Sequence, residues 1–475
     1  MKKIIDRREF LQRLGLGTAA VATAATLPSC ITAPKPTEEG DFNPKGGPFS
    51  EDQLGEMTYR VNPANGDKVS ILGYGCMRFP QRTDGQKGPD GNDLDQEKIN
   101  ELIKYAMDHG VNYYDTSPAY LKGYSERSVG IALKATGRPR ESYYIATKLS
   151  NFAVQQQTRE ASQEMLRNSL KYLQTDYIDY LLLHSIGGGG MDNFNKRYMD
   201  NGILDWLVEQ KQKGVIRNLG FSFHGEAEVF ETMLKWHDEG RYHWDFVQIQ
   251  MNYLDWNNGD KQEGRSINAE WLYEELDKRE IPVVIMEPLL GGRLSNLPNH
   301  VIAHLKARLP EMSAASWAFR FCGTYPRVLS ALSGMTYMEH LQDNLRSFSP
   351  LVPLTQDELD YLEGAAKQLI KYPLIPCNDC KYCMPCPYGL DIPGIFVHYN
   401  KCVNEGVLPG SEEDANYSEL RRNYLISYNR AIPTLRQADH CINCNQCSPH
   451  CPQNIRIPQQ LEKIAASIEQ LKRKA

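Results

Sequence analysis

A chain of 475 residues, 41% hydrophobic and 24% charged, has a globular balance and is too long for one ordinary core, so two or three domains are expected. Its formal net charge of -6 gives no reason to expect nucleic acid as a partner. The informative total is twelve cysteines, because eight of them crowd into two short runs, Cys377 to Cys386 and Cys441 to Cys451, which suits ligands of a metal centre better than scattered disulfide partners.

Residues 1–30 read as an address rather than as part of the fold. Arg7 and Arg8 stand in the run DRREFLQ, ahead of an apolar stretch rich in Ala, Gly and Thr from Leu14 to Leu27. That pattern resembles a twin-arginine signal, the bacterial route that exports proteins already folded. The stretch falls short of the ~20 apolar residues a permanent span requires. It ends at Leu27-Pro28-Ser29-Cys30, which looks like a lipoprotein box with Cys30 as the lipidated residue, simple cleavage being the alternative. The expectation is an exported protein of the periplasm or cell envelope, with membrane attachment through a lipidated Cys30. Residues 31–56, with ITAPKPTEEG and NPKGG, read as a flexible linker.

From 57 to 352 short β-branched or aromatic runs alternate with longer helical ones. The expected strands are SILGYG from Ser70, VNYYD from Val111, YYIATK from Tyr143 and YIDYLLLH from Tyr177, then IRNLGFS from Ile216, FVQIQMN from Phe246, PVVIME from Pro282 and VLSALSG from Val328. Between them, segments such as QEKINELIKYAMDHG from Gln96 carry apolar residues at helical spacing and end in Gly. Repeated strand–helix units of this kind predict an α/β fold, a (β/α)₈ TIM barrel. A doubly wound open sheet competes, but no GxGxxG turn follows the first strand.

Residues 353–475 predict a mainly helical domain around two cysteine quartets. CNDCKYCMPCP places Cys377, Cys380, Cys383 and Cys386 before Pro387, and CINCNQCSPHCP places Cys441, Cys444, Cys447 and Cys451 before Pro452. Three cysteines at two-residue gaps wrap three corners of a [4Fe–4S] cube, and in two-cluster ferredoxins the fourth reaches the other cube. On that pattern Cys377, Cys380, Cys383 and Cys451 hold one cluster, and Cys441, Cys444, Cys447 and Cys386 the other. Zinc knuckles have no use for the third CxxC step or the following proline. The first quartet has two residues, not three, before its last cysteine, which departs from the usual spacing. Cys76, Cys322 and Cys402 read as small buried hydrophobes.

At the ends of expected strands stand Asp115 in YYDTSPAY, Lys148 in IATK and His184 in LLLH, with Tyr120 just beyond Asp115. Strand ends of a barrel share one mouth, so the four converge. The set suits carbonyl reduction. Tyrosine is a weak acid near neutrality, and an adjacent Lys148, held by Asp115, would lower its pKa. Tyr120 would then protonate the carbonyl oxygen while His184 positions it by a hydrogen bond.

On these motifs, with LGYGCMRFP from Leu72, GFSFHG from Gly220, MEPLLGG from Met286 and SGMTYMEHLQDN from Ser333, the barrel resembles an aldo/keto reductase. The whole chain is similar to bacterial members with a C-terminal ferredoxin-type extension. The resemblance implies NADP or NAD laid across the mouth, with Ser222 and Gln250 on the nicotinamide amide and Met286 against its ring. It also implies Gly334 and Asn344 in the segment that grips the adenosine end. Phe223 stands where an asparagine often follows the serine, and Gly334 and His340 where NADPH-preferring relatives often carry basic residues. The choice between the two dinucleotides is therefore open.

The expected function is an exported oxidoreductase that reduces a carbonyl or oxidises an alcohol, with its clusters serving an external electron-transfer protein. Hydride carries two electrons whereas each cluster takes one, and no flavin-binding pattern supplies the step between them. Two alternatives stand beside this reading: purely structural clusters, or a non-enzymatic electron carrier using the barrel as scaffold.

Overall fold

The computed structural model describes residues 43–88, 91–261, 267–371, 374–409 and 416–473. Arg7, Arg8, Cys30 and residues 31–42 of the expected linker lie outside them. Each of the eight segments expected as strands forms one. A hairpin of β1 (Tyr59–Val61) and β2 (Lys68–Ser70) comes first. Then β3 (Leu72–Gly75), β4 (Tyr113–Asp115), β5 (Tyr144–Leu149), β6 (Ile178–Gly187), β7 (Ile216–His224), β8 (Phe246–Gln250), β9 (Val283–Met286) and β10 (Val328–Ser333) run parallel and close into a barrel.

The strands alternate sides as a pleat requires. Tyr113, Ala146, Tyr180, Leu182, Phe246 and Val284 fill the barrel interior, while their neighbours Tyr114, Ile145, Leu181, Val247 and Val283 pack outward under the helices. Helix Gln96–Asp108 shows how the outer layer is written. The Asp95 side chain accepts from the Lys98 N–H, and Ile99, Leu102, Ile103 and Ala106 form the buried face. Gly110, at φ +89°, ends the segment where a side chain would strike Met57. The hairpin is a feature that periodicity does not announce, since each arm is three residues long. It closes the floor of the barrel: the Tyr180 hydroxyl donates to Asp67 at 2.9 Å and accepts from Asn62 at 3.3 Å.

Helix Gln356–Leu369, in the stretch expected to belong to the cysteine domain, packs on the barrel. Leu362, Ala365, Ala366 and Leu369 join its core, and Glu358 pairs with Arg320 at 3.2 Å. The barrel unit therefore runs past the expected boundary at 352, because this helix has its apolar stripe on the barrel side. The C-terminal domain has its own core, made by helices Ile392–Asn404, Tyr417–Ala431 and Ile457–Arg473, with Ile395, Phe396, Tyr424, Tyr428, Ile464 and Ile468 buried. Six of the quartet cysteines pack against it as partly buried neighbours: Cys377, Cys383, Cys386, Cys441, Cys447 and Cys451. Cys76, Cys322 and Cys402 are buried as expected. Among the described residues no helix is long and apolar enough to cross a membrane.

Candidate active site

The four expected side chains meet at the barrel mouth. Lys148 Nζ lies 2.6 Å from Asp115 Oδ1 and donates to the Thr116 carbonyl at 2.9 Å. The same ammonium stands 4.9 Å from the centre of the Tyr120 ring, and the Tyr120 and His184 rings lie 5.9 Å apart. Burial pulls Lys148 down and pushes Asp115 up, and their mutual contact opposes both shifts. The Tyr120 phenol is not drawn down as the adjacent ammonium suggests. Burial pushes it well above its ordinary value, Asp115 adds to the rise, and the ammonium is already committed to Asp115. Tyr120 is thus a fully protonated acid at rest.

Backbone irregularity aims His184. The β6–β7 register slips between Leu183 and Ile186, so His184 and Ser185 form a bulge, with Ser185 at φ +51°. The Ser185 N–H donates to Ser222 Oγ at 2.7 Å, and Arg197 donates to the His184 carbonyl at 2.6 Å, holding the bulge. Burial, then Lys148 and Arg197, hold the imidazole well below its ordinary pKa, so it is neutral. Its Nδ1 lies 2.6 Å from Ser150 Oγ, which is itself 2.8 Å from Ser117 Oγ.

Ser222, Gln250 and Met286 stand on the adjacent strands β7, β8 and β9, with Gln250 and Met286 directly paired in register. The Gln250 amide donates to Asp255 at 2.9 Å. Asn344 is buried and gives its amide to Ser333, the last residue of β10, at 2.6 Å. Gly334 follows in chain against the Arg78 side chain. Phe223 turns into the core against Phe230.

The cysteines come together across the two quartets. Cys377, Cys380, Cys383 and Cys451 line one cavity with the apolar Ile392, Phe396 and Ile457. Cys447 has Cys441, Cys386 and Cys444 as its electrostatic neighbours. Asp379 and Lys381 adopt left-handed backbone, and so do Asn443 and Asn445 at the matching places of the second quartet. Four thiols around an apolar cavity are a donor set that fits a [4Fe–4S] cube.

What no strand-end pattern foretells is where the first quartet sits: it covers the barrel mouth. Arg78 donates to the Asn378 carbonyl and pairs with Asp379, while Asn378 donates to Glu287 at 2.9 Å. Gly291, at φ +66°, allows this approach, since a Cβ there would lie 2.5 Å from the Asn378 carbonyl oxygen. Tyr382, between Cys380 and Cys383, brings its ring 6.3 Å from Phe152 and 6.4 Å from His184. Gln453, two residues beyond Cys451, pairs with Gln250.

Residues 71–367 match the aldo/keto reductase family, and residues 376–457 match a 4Fe-4S dicluster domain. An uncharacterized oxidoreductase of Bacillus subtilis is 24% identical over 63% of this chain and 94% of its own length. L-galactose dehydrogenase of Arabidopsis thaliana is 24% identical over 62% of this chain and 88% of its own. The holo form of an aldo-keto reductase from Bacillus halodurans superposes with a TM-score of 0.51 at 25% identity, covering 65% of this chain and 96% of that one. The chain belongs to the aldo/keto reductase family. It is an oxidoreductase of that family that carries a ferredoxin-type iron–sulfur domain at its C-terminus.

Proposed function

We propose that the protein reduces a carbonyl, or oxidises the matching alcohol, at the Tyr120–Lys148–Asp115–His184 site with NADP or NAD. In this reading its two [4Fe–4S] clusters exchange electrons with an external protein. The observation that carries the reading is the buried Lys148–Asp115 pair beside Tyr120, with a neutral His184 facing the same space. Tyr120 gives its proton to the carbonyl oxygen, and the Nε2–H of His184 holds that oxygen in line. Bound nicotinamide supplies the hydride that carbon receives, so the product is the alcohol. The phenolate left on Tyr120 is stabilised by Lys148 until it regains a proton from solvent. Ser222, Gln250 and Met286 would hold the nicotinamide end.

Tyr120→Phe tests the assignment, since it removes one hydroxyl that serves the transition state and leaves dinucleotide contacts alone. We expect carbonyl turnover to vanish across a broad substrate panel while NADH and NADPH bind as in wild type. Retained turnover would remove Tyr120 from the mechanism.

We also propose export by the twin-arginine route, on the Arg7–Arg8 pair ahead of the apolar stretch from Leu14 to Leu27, with the clusters inserted before export. Arg7→Lys with Arg8→Lys should leave it in the cytoplasm, and Cys30→Ser should release it from the membrane fraction. Normal export of the first variant, or an unchanged distribution of the second, argues against the signal or the lipidation respectively.

A further inference from the structure

The contact between Gln250 and Gln453 links the two halves of the molecule at a chemically telling point. Gln453 is 1% exposed and follows Cys451 by two residues. Its Nε2 donates to Gln250 Oε1 at 3.1 Å, and Gln250 Nε2 faces Gln453 Oε1 at 3.5 Å. The group that Gln453 presents is a primary carboxamide, which is the substituent a nicotinamide ring carries. Gln250 is held to receive such a group, because Asp255 takes its other amide hydrogen at 2.9 Å and is itself fixed by Asn252 at 2.7 Å. One oriented amide satisfies one carboxamide partner at a time.

We infer that Gln453 is an internal stand-in for the nicotinamide carboxamide, so that a dinucleotide and the docked cluster loop compete for Gln250. The inference rests on the nicotinamide reading above and adds a consequence to it. Binding of the dinucleotide displaces Gln453, and with it the backbone next to Cys451, one of the four thiols around the first cluster cavity. The first cluster therefore registers whether the nicotinamide seat is filled. Linkage makes the effect reciprocal: whatever fastens the cluster loop to the mouth weakens the dinucleotide by the same factor. Tyr382, in the chain between Cys380 and Cys383 and with its ring 6.4 Å from His184, extends the contact to the catalytic residues. Two redox systems with different electron counts thus share one donor–acceptor pair.

The test uses the anaerobic full-length holoprotein, wild type beside Gln453→Ala and the near-isosteric Gln453→Met, each first checked for iron and sulfide content. NADH and NADPH binding is read from nicotinamide fluorescence. Visible circular dichroism of the oxidised clusters is read on adding NAD⁺ or NADP⁺, which leaves the clusters' electron count unchanged. Removing the competing amide should tighten the preferred dinucleotide by about tenfold, the worth of one such hydrogen-bonded pair. In wild type the dinucleotide should alter the cluster dichroism, and in both variants that response should shrink. Equal or weaker binding by the variants, or clusters blind to dinucleotide in wild type, overturns the inference and leaves the nicotinamide reading standing. Failure of all three proteins to bind either dinucleotide overturns both.

Discussion

Ser150 Oγ lies 2.6 Å from His184 Nδ1, and the direction of that hydrogen bond sets which imidazole nitrogen carries the proton. A neutral imidazole has one donor nitrogen and one acceptor. If Ser150 donates to Nδ1, the proton resides on Nε2, the nitrogen needed to hold a carbonyl oxygen. Ser117 Oγ lies 2.8 Å from Ser150 Oγ and 3.3 Å from His184 Nδ1, and it accepts from the Ala119 N–H at 3.1 Å. Ser150 is therefore a positioning residue. Ser150→Ala should lower kcat roughly tenfold, about the worth of one hydrogen bond, with the dinucleotide Kd unchanged. Ser150→Thr, which keeps the hydroxyl, should restore most of the rate. An equal loss in both variants would reduce Ser150 to packing.

Tyr120 sets the pH behaviour. Burial holds the phenol well above its usual ~10, so it stays protonated across the alkaline range. His184 is held well below its usual ~6.5, so it stays neutral on the acid side. Carbonyl reduction should then be flat between about pH 6 and pH 9, with no limb from either residue. A titration near pH 7 in the kcat profile would place His184 in water during turnover, and one near pH 10 would do the same for Tyr120.

Lys148 and Asp115 are 1% and 2% exposed, and each is the other's counter-ion. Lys148→Met strands a buried carboxylate that Gln248 alone then contacts, at 3.3 Å. The loss should be on the order of 3 kcal/mol in stability besides a loss of rate. Lys148→Met with Asp115→Asn should recover most of the stability but none of the activity. Denaturation and turnover measured on wild type and the two variants separate the two effects. A single variant as stable as wild type would mean that Asp115 takes up a proton at little cost.

How far the sequence reaches is clear from particular residues. Asp115, Lys148 and His184 were legible because strand ends in a barrel share one mouth, and alternation along a strand gives those ends. The same rule brings Ser222, Gln250 and Met286 side by side. Ser117 lies in the quoted YYDTSPAY and Ser150 two residues beyond YYIATK, but a serine beside a strand end carries no signal of its own. Tyr382 and Gln453 were illegible for a different reason. They matter only because one domain docks on the other, and neither periodicity nor cysteine spacing encodes docking. The helix Gln356–Leu369 shows the same limit, since an apolar stripe declares burial without naming the partner.

Glu126 gives a stability prediction with a definite sign. Its buried carboxyl is pushed up from 4.5 to about 7, by burial first, with hydrogen bonds from Thr147 at 2.6 Å and from Ser169 opposing the rise. The native state thus binds a proton that the unfolded chain has released between those values. Stability is fully present below pH 4.5 and is lost as pH rises through about 7. At pH 8 the cost approaches about 3 kcal/mol. Glu126→Gln, which keeps the shape and cannot ionise, should be near neutral at pH 5 and stabilising at pH 8. Thermal unfolding of the anaerobic holoprotein at both pH values reads the difference. A variant that is equally or more destabilised at pH 8 would show that Glu126 is charged and well served in the fold.

The cluster ligands allow a sharper test than losing one cysteine at a time. Cys377, Cys380, Cys383 and Cys451 share one cavity, and Cys447 has Cys441, Cys386 and Cys444 for neighbours. The wild-type protein should then carry about eight irons and eight sulfides. Under cross-ligation, Cys377→Ala with Cys451→Ala removes two ligands from the same cube and should leave about half the iron. Cys441→Ala with Cys451→Ala strikes both cubes and should leave little. If each quartet instead served its own cluster, the two results would exchange places: the first pair would empty the protein and the second would keep half. Iron and acid-labile sulfide per chain, measured on anaerobic preparations of both double variants, decide between the arrangements. The two-residue gap before Cys386 is what makes the outcome informative. It shortens the first quartet's reach, so the cross-ligation turns on Cys386 reaching Cys447 and its neighbours.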